Sequence, residues 1–395
     1  MDRVILHCDC NSFFASVEAA LNPALKDVPM AVGGSVEARH GIILAKNELA
    51  KEYNVQTAET IYSAKRKCPE LVIVPPHHDL YEKYSDMVNA IYYEYTDQVE
   101  KFGIDESWLD VTGSQKLFGS GEEIANTLRK RIQEEIGITI SVGVSFNKVF
   151  AKLGSDYKKP DATTVISREN FKEIVYPLPV CDLLFVGKRT REALSKIGVK
   201  TIGDLAESDG ERIKKLLGKT GETIYKYARG EDDSPVDPHS HDEVKSVGNG
   251  MTFKRDLRGE KDILCGIAHL SESIAVRMRR KGVKCTVVQV TIKDPDLISI
   301  QRQEKLSSPT NLAKDITDKA MDIMRRSWNM NKPIRMLTVT GGGIVPEDAA
   351  QQISFFDEEK DPKRENLEKA LDKIREKYGK DAVKSANVIN NDLGI

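Results

Sequence analysis

The chain has no run of apolar residues approaching the ~20 that cross a bilayer, so a membrane-spanning helix is excluded on sequence grounds. Its start, MDRVILHCDC, puts an acid at position 2 and offers no small-residue cleavage site, so we expect no secretory leader. Cysteine is scarce and scattered. Cys8, Cys10, Cys68, Cys181, Cys265 and Cys285 contain no Cys-x-x-Cys pair, which argues against a zinc ribbon or a dithiol redox motif and leaves reduced thiols in a cytoplasmic protein as the plain reading. Aromatic residues make up only 6% of the chain. The triple glycine Gly341-Gly342-Gly343 has no Lys-Ser/Thr behind it and is no phosphate loop. Net charge is nearly absent too, at −2.

What is present describes a soluble globular protein: 395 residues, 40% hydrophobic and 30% charged. At roughly 100–200 residues per domain, two to four domains are expected. The charge is unevenly spread. Residues 243–346 hold 19 Lys and Arg against 11 Asp and Glu, a surplus of 8, which leaves the rest of the chain near −10. A basic module on a mildly acidic body points to a polyanion as its partner.

Periodicity gives the elements. Residues 3–9 read as a buried strand, followed by a helix from Ser12 to about Leu21 that stops near Pro23. "GIILAKNELAKEYNV" reads as strand into helix, and "LVIVPP" as a short buried strand. Residues 79–97 are helical, with Leu80, Tyr84, Met87, Val88 and Ile91 on one face. "VEKFGIDESWLDVTGS" reads as a tight hairpin around Ile104-Asp105-Glu106, 121–136 as an amphipathic helix, and "ITISVGVSFN" as an alternating strand. Interleaved strands and helices make an α+β body to about residue 166. In 168–230, "LLFVGKRTREALSKIGVKTIGDL" and "IKKLLGKTGETIYKYARG" read as helix-hairpin-helix units, whose turns offer backbone N–H groups to phosphate. Residues 230–243 are polar and broken by proline, a linker. The basic module has strand patterns at 287–293, 297–303 and 335–341 and helices near 262–280 and 309–327. A polar tail from about 347 contains a helix opened by Pro362 and stopped by Gly379, with Leu367, Leu371, Ile374 and Tyr378 on one side.

Asp9 stands between Cys8 and Cys10 at the end of the first strand. Side chains alternate along a strand, so the three cannot readily chelate one ion. His7 shares the face of Asp9 and reads as a core residue; Trp108 and Trp328 read as core, and His77 and His78 as an exposed loop. The partner for Asp9 is the acidic pair Asp105-Glu106 beside apolar strand residues in "FGIDESWLD". Carboxylates on adjacent strand ends suit hard cations such as Mg²⁺, which takes one or two carboxylates plus substrate phosphates. Two such ions clamp the attacking and leaving oxygens of a phosphoryl displacement. One acid alone would be a turn or cap residue. Both motifs in one chain, with a basic module and two helical hairpins, outweigh that reading.

"DCNSFFASVE", "GIDESWLDVT" and "SVGVSFNKVFAKLGSDYKKP" together resemble the Y-family translesion DNA polymerases, of the bacterial DNA polymerase IV type, from about residue 3 to 346. The resemblance implies an α+β multidomain right-hand fold: palm (1–10 and 78–166), fingers (11–77), helical thumb (167–232), linker (233–242), α/β little finger (243–346) and tail (347–395). It implies a low-fidelity, template-directed DNA polymerase without proofreading that extends primers past damage, using primer-template DNA, dNTP and two Mg²⁺ ions, or Mn²⁺ in their place. By the same resemblance, Asp9, Asp105 and Glu106 are the catalytic and metal-binding acids, and the Cys10 carbonyl is a metal ligand. Asn11, Ser12, Phe13 and Phe14 line the nucleotide, Phe14 being the steric gate against a ribose 2′-hydroxyl, and Lys159 contacts the triphosphate. The chain departs from the family on the fingers helix, where Ala45, Glu48 and Lys51 replace the usual Thr and Tyr-x-x-Arg; Lys46 and Lys51 are the candidates to take over. Gly187-Lys188-Arg189 replaces the usual Gly-x-Gly of the first hairpin. In the tail, Gln352, Ile353, Ser354, Phe355 and Phe356 resemble the bacterial sliding-clamp-binding peptide. No membrane partner is expected, and the chain is read as a monomer. Two other classes share part of this pattern. A haloacid-dehalogenase-type phosphatase needs a second Asp where Asn11 stands. A non-catalytic DNA- and clamp-binding scaffold would have lost an acid, yet all three are present.

Overall fold

A computed structural model of the chain describes residues 2–349 other than 38, 40 and 241, then 362–379, 382, 383 and 391–395. The clamp-like peptide, Gln352 to Phe356, lies outside the described residues. The chain divides into two compact units, residues 1–34 with 42–242, and residues 35–41 with 243–395.

The first unit opens with β1 (Ile5–Cys10), α1 (Phe13–Leu21), β2 (Met30–Gly33), β3 (Ile43–Lys46), α2 (Glu48–Glu52), α3 (Ile61–Lys67) and β4 (Val72–Val74). There follow α4 (His78–Tyr93), β5 (Val99–Lys101), β6 (Glu106–Asp110), α5 (Gln115–Phe118), α6 (Gly121–Ile136), β7 (Ile140–Ser145), α7 (Lys148–Tyr157) and β8 (Thr163–Ile166). Five of these strands form one sheet in the order β5-β6-β1-β7-β8, and β3-β2-β4 form a second. In the first sheet β1 lies antiparallel between β6 and β7, with Asp9 opposite Glu106 on one side and Ser141 on the other. Leu6, Cys8 and Cys10 pack with α4 and α6 residues such as Tyr92 and Leu128, while Ile5 packs with Trp108 and Ala151 toward α7. Both faces of β1 are therefore covered. α7 lies against the sheet at backbone contact: a Cβ on Gly143 would fall 1.9 Å from the Ala151 carbonyl oxygen, so only glycine fits there. Asn147 caps α7 by accepting from the Phe150 N–H.

Five short helices complete this unit: α8 (Phe171–Val175), α9 (Lys188–Ser195), α10 (Ile202–Ala206), α11 (Gly210–Leu217) and α12 (Lys219–Ala228). Their apolar faces close a core around Leu194, Leu205, Ile213 and Ile224 that is continuous with Phe150 and Leu153 of α7. Gly218 joins α11 to α12 at φ 65, in the left-handed region that favours glycine.

The second unit contains β9 (Ser246–Leu257), α13 (Gly259–Arg280), β10 (Val283–Lys293), β11 (Ser299–Thr310), α14 (Ala313–Ser327), β12 (Ile334–Pro346) and α15 (Pro362–Tyr378). Its four strands are antiparallel in the order β11-β10-β12-β9. Alternate strand residues such as Val288, Val290, Leu337 and Val339 meet Leu270, Ile274, Ile316 and Ala320 of α13 and α14 in one core.

Several local expectations change. β4 is an edge strand, not a buried one: Val72 is 38% exposed. The buried face of α4 is Tyr81, Ser85, Val88 and Tyr92, and Met87 turns outward. β7 alternates in sequence but is buried on all six residues, since α6 and α7 both pack on it. His78 is not in a loop but is the first residue of α4. Trp108 is buried, whereas Trp328 only borders the core of its unit. The segment read as a polar linker is pinned: Asp232 and Val236 are buried, and Arg3 donates to the carbonyls of Asp232 and Ser234. β9 had no readable pattern because its burial does not alternate.

Nor are the described parts of the tail free of the fold. α15 docks through charge: Arg279, 5% exposed, ion-pairs with Glu368 and Asp372, Arg375 with Glu272, and Lys284 with Glu365. Glu368 also accepts from the Ala313 N–H, at a helix start whose N-cap, Leu312, has no side chain able to cap it. Leu393 enters the core. Leu367, Ile374 and Tyr378, read as lying on one side of the helix, are exposed.

Candidate active site

The ends of β1 and β6 bring Asp9 and Glu106 face to face, and a backbone bond from Cys10 N–H to the Asp105 carbonyl, 2.9 Å, fixes Asp105 beside them. Asp9 is 8% exposed. Burial and the neighbouring charges of Asp9 and Glu106 push the Asp105 carboxyl up to about 6. Glu106 goes the other way. Burial opposes its charge, but the nearby His7 ring and the hydrogen-bonded Lys152 ammonium hold it down to about 2.

Two lysines of the α7 segment balance the acids. Lys159 Nζ lies 2.8 Å from Asp9 Oδ2 and 2.7 Å from Asp156 Oδ1. Lys152 contacts Glu106 closely and stands 3.8 Å from Asp9 Oδ2. Lys152 was not singled out from sequence, although Lys148, Lys152, Ser155 and Lys159 recur at helical spacing and mark one face of α7. Lys148 belongs to the same row but pairs with Glu100 and covers the Trp108 ring.

The arrangement suits a hard cation. Ligand atoms of His7, Asp9 and Glu106 all lie within 4.8 Å of one another, and Asp105 carries a carboxyl that a nearby cation would ionise. The Cys10 thiol takes no part: it is buried in the core, which pushes its pKa well above the usual range.

A cavity of about 300 Å³ opens beside the acids, lined by Asp9, Asp105, Ser12, Lys46, Lys51 and Lys159 among others. Ser12 sits at φ 49, and its hydroxyl donates to Glu48 Oε1. Lys51 pairs with the same oxygen at 2.5 Å. Lys46 donates to Thr57 Oγ1, and its pKa is lowered by partial burial and by the Lys51 charge. Phe13 is core. Phe14 stacks on Tyr81, 4.1 Å between ring centroids, with His78 edge-on. The Asn11 side chain is spent within the protein, on Ser141, Thr139 and the Asp161 N–H.

Acids on adjacent strand ends, next to a cavity ringed by cations and joined in one chain to helical hairpins and a basic sheet module, define a nucleotidyltransferase of the polymerase class. Sequence comparison agrees. Residues 8–156 match the impB/mucB/samB family, residues 244–355 match that family's C-terminal domain, and residues 182–232 match the DNA polymerase-iota thumb domain. The chain is 48% identical to DNA polymerase IV of Acetivibrio thermocellus, covering 100% of this chain and 99% of that one. It is 37% identical to DNA polymerase IV 1 of Bacillus subtilis, over 95% and 91% of the two chains. A solved Y-family DNA polymerase chimera has the same fold, with a TM-score of 0.77 at 23% identity, covering 87% of this chain and 99% of that one. The chain therefore belongs to the impB/mucB/samB family, as a Y-family DNA-directed DNA polymerase of the bacterial polymerase IV kind. Divalent-metal dependence comes with that membership, and the non-catalytic alternative is not favoured. Among the described residues no helix is long and apolar enough to cross a membrane.

Proposed function

We propose that this protein extends a primer on damaged template DNA, taking dNTPs into the cavity bounded by β1, β3 and α2. The observation that carries the reading is the set Asp9, Asp105 and Glu106, three acids on neighbouring strand ends with two lysines as their only close cations among the described residues. Asp9, Asp105 and Glu106, with the Cys10 carbonyl, would hold two Mg²⁺ ions. Bound there, the ions supply charge stabilisation to the attacking and leaving oxygens. The protein's own groups do the rest. Lys159, Lys46 and Lys51 offer charge-assisted contacts to the triphosphate. Ser12 and Phe13 border the nucleotide, and Asn11 fixes that border by its bonds to β7 and the loop before β8. Phe14, braced by Tyr81, bars a 2′-hydroxyl. The helical hairpins and the basic sheet module hold DNA by its phosphates. The protein works as a monomer, without proofreading and with low fidelity. The peptide from Gln352 to Phe356 tethers it to a sliding clamp, supplying effective concentration rather than chemistry.

Primer extension tests the whole reading. The full-length protein with primer-template, dNTPs and Mg²⁺ should extend, and should stop with chelator; no extension would overturn it. Phe14→Ala should raise ribonucleotide against deoxyribonucleotide insertion by about 10–200-fold, the range for one steric contact in a pocket. Phe355→Ala with Phe356→Ala should leave basal extension intact and abolish stimulation by a loaded clamp.

A further inference from the structure

Phe14 and Glu18 stand four residues apart on α1 and so share one face of that helix. Both reach Tyr81 of α4, a side chain that is wholly buried. Phe14 lies flat on its ring, with 4.1 Å between centroids and 12° between planes. Glu18 takes the other end: the Tyr81 hydroxyl donates to Glu18 Oε1 at 2.5 Å. The same oxygen meets His77 Nδ1 at 2.8 Å, just before α4 begins. His78 stands edge-on to both rings, 5.7 Å from each.

The Glu18 side chain is 7% exposed. The rest of the buried face of α1 is Phe13, Ala15, Val17 and Ala19. A carboxyl group in that company is costly to keep unless it is hydrogen-bonded, and an apolar side chain of similar size would serve packing alone as well. Its two contacts work together: they fix the hydroxyl end of the Tyr81 ring and the start of α4. A ring held only by stacking can slide in its own plane and tilt. Anchored at its hydroxyl it does neither, so Phe14 rests on a fixed plate. Phe14 is half-buried and has no polar side-chain atom by which the protein could hold it. Its position is set by what lies behind it.

We propose that Glu18 and Tyr81 are positioning residues for sugar selection: their hydrogen bond keeps the Phe14 ring from retreating, so that a ribonucleotide meets a rigid wall. The proposal rests on the reading of Phe14 as the gate against a 2′-hydroxyl. Two sugars that differ by one oxygen are told apart sterically only by a wall that does not recede. Glu18 and Tyr81 touch neither the acids nor the cavity lining; they act through the ring of Phe14.

Single-nucleotide insertion by the full-length protein, with primer-template, Mg²⁺ and either the ribo- or the deoxyribonucleotide, tests the proposal. The readout is the ratio of the two kcat/KM values. A loss of folded protein lowers both values equally, so a merely structural role leaves the ratio alone. Tyr81→Phe removes one oxygen and keeps the ring. It should raise the ribo-to-deoxyribo ratio about two- to tenfold, the scale of one hydrogen bond. Glu18→Leu should do the same. Glu18→Gln, whose amide oxygen still accepts from the tyrosine, should restore most of the wild-type ratio, and a rise as large as in Glu18→Leu would count against the hydrogen bond. A wild-type ratio in both Tyr81→Phe and Glu18→Leu overturns the proposal; if Glu18→Leu does not fold, Tyr81→Phe decides alone. In a Phe14→Ala background, Tyr81→Phe should add nothing, because the ring it acts through is gone. The same two- to tenfold rise there would refute action through Phe14. Phe14→Ala by itself separates the two levels. A wild-type ratio in that variant would refute the reading of Phe14 as the gate, whereas a raised ratio there beside unmoved Tyr81 and Glu18 variants would refute only the positioning role.

Discussion

In the first unit Asp9, Glu106 and Asp156 share two lysines, Lys152 and Lys159; in the second, Arg279 is shared by two carboxylates, Glu368 and Asp372. The Arg279 side chain is 5% exposed, whereas Lys159 and Asp156 are 31% and 49% exposed, and the two clusters are built for different ends. Lysine is a compact point charge on a flexible stem, and Lys159 divides its contacts between Asp9 and Asp156. Such a cation can yield its place. The Arg279 guanidinium is planar, meets both acids, and also donates to the Asn311 carbonyl at 2.7 Å. Four of its five N–H donors are spent within the protein. The same ingredients therefore make a vacatable site in one unit and a permanent clasp in the other. The difference lies in which cation was used and in how much of its bonding capacity is already taken.

The sharpest break is to remove one charged partner from each cluster. Asp105→Ala or Glu106→Ala should cut primer extension by roughly a thousandfold or more, matching the several kcal/mol of charge stabilisation that metal ions supply. Primer-template binding, read by fluorescence anisotropy, should survive. Arg279→Met should leave chemistry intact but cost the second unit about 3–5 kcal/mol, because two buried carboxylates lose their partner. The chain has two tryptophans, Trp108 in the first unit and Trp328 in the second. Denaturation followed by Trp328 in a Trp108→Phe background would see the loss, and Trp108 in a Trp328→Phe background should not.

A smaller effect tests whether the first cluster is waiting for a cation. The carboxyl of Asp105 is pushed up to about 6. A raised acid leaves stability untouched below its unfolded value of about 4, lowers it progressively as pH climbs to the folded value, and keeps that full cost, without further slope, above. A cation must displace the proton that remains. Apparent Mg²⁺ affinity should therefore weaken by up to about tenfold per pH unit below 6 and level off above it. Calorimetry in buffers of different ionisation heat should detect proton release at pH 6 and little at pH 8. The smallest effect concerns a third kind of pair, the half-exposed Glu48 and Lys51. Glu48→Gln frees Lys51 for the nucleotide, yet exposed pairs are worth only about 0–1 kcal/mol, so the KM for dNTP should fall no more than about fivefold.

Much of this was legible in the chain because charge at the end of an apolar strand is unusual enough to be noticed. Asp9, Asp105 and Glu106 announce themselves that way, and their strand pairing brings Asp9 and Glu106 opposite each other. Lys152 and His7 were not legible in the same way. Each looks ordinary until helix and sheet are stacked, since their partners are 46 and 99 residues distant along the chain. β7 was read as an alternating strand, and alternation in sequence cannot tell one covered face from two. α15 was legible as a helix, but not in how it packs. Its apolar side faces out and its charged side faces in, because the surface it meets offers a buried arginine rather than a hydrophobic groove.

The closeness of α7 to the sheet at Gly143 has a further consequence. A side chain between two elements acts as a spacer whose thickness changes with each substitution. Here no spacer exists, and main chain rests on main chain. The distance from the lysines of α7 to the acids of β1 and β6 is thus set by a hard stop, as a machinist's datum face sets a tool. Neighbouring core positions are free to drift in volume over many generations while the offset between cation and carboxylate stays where it is.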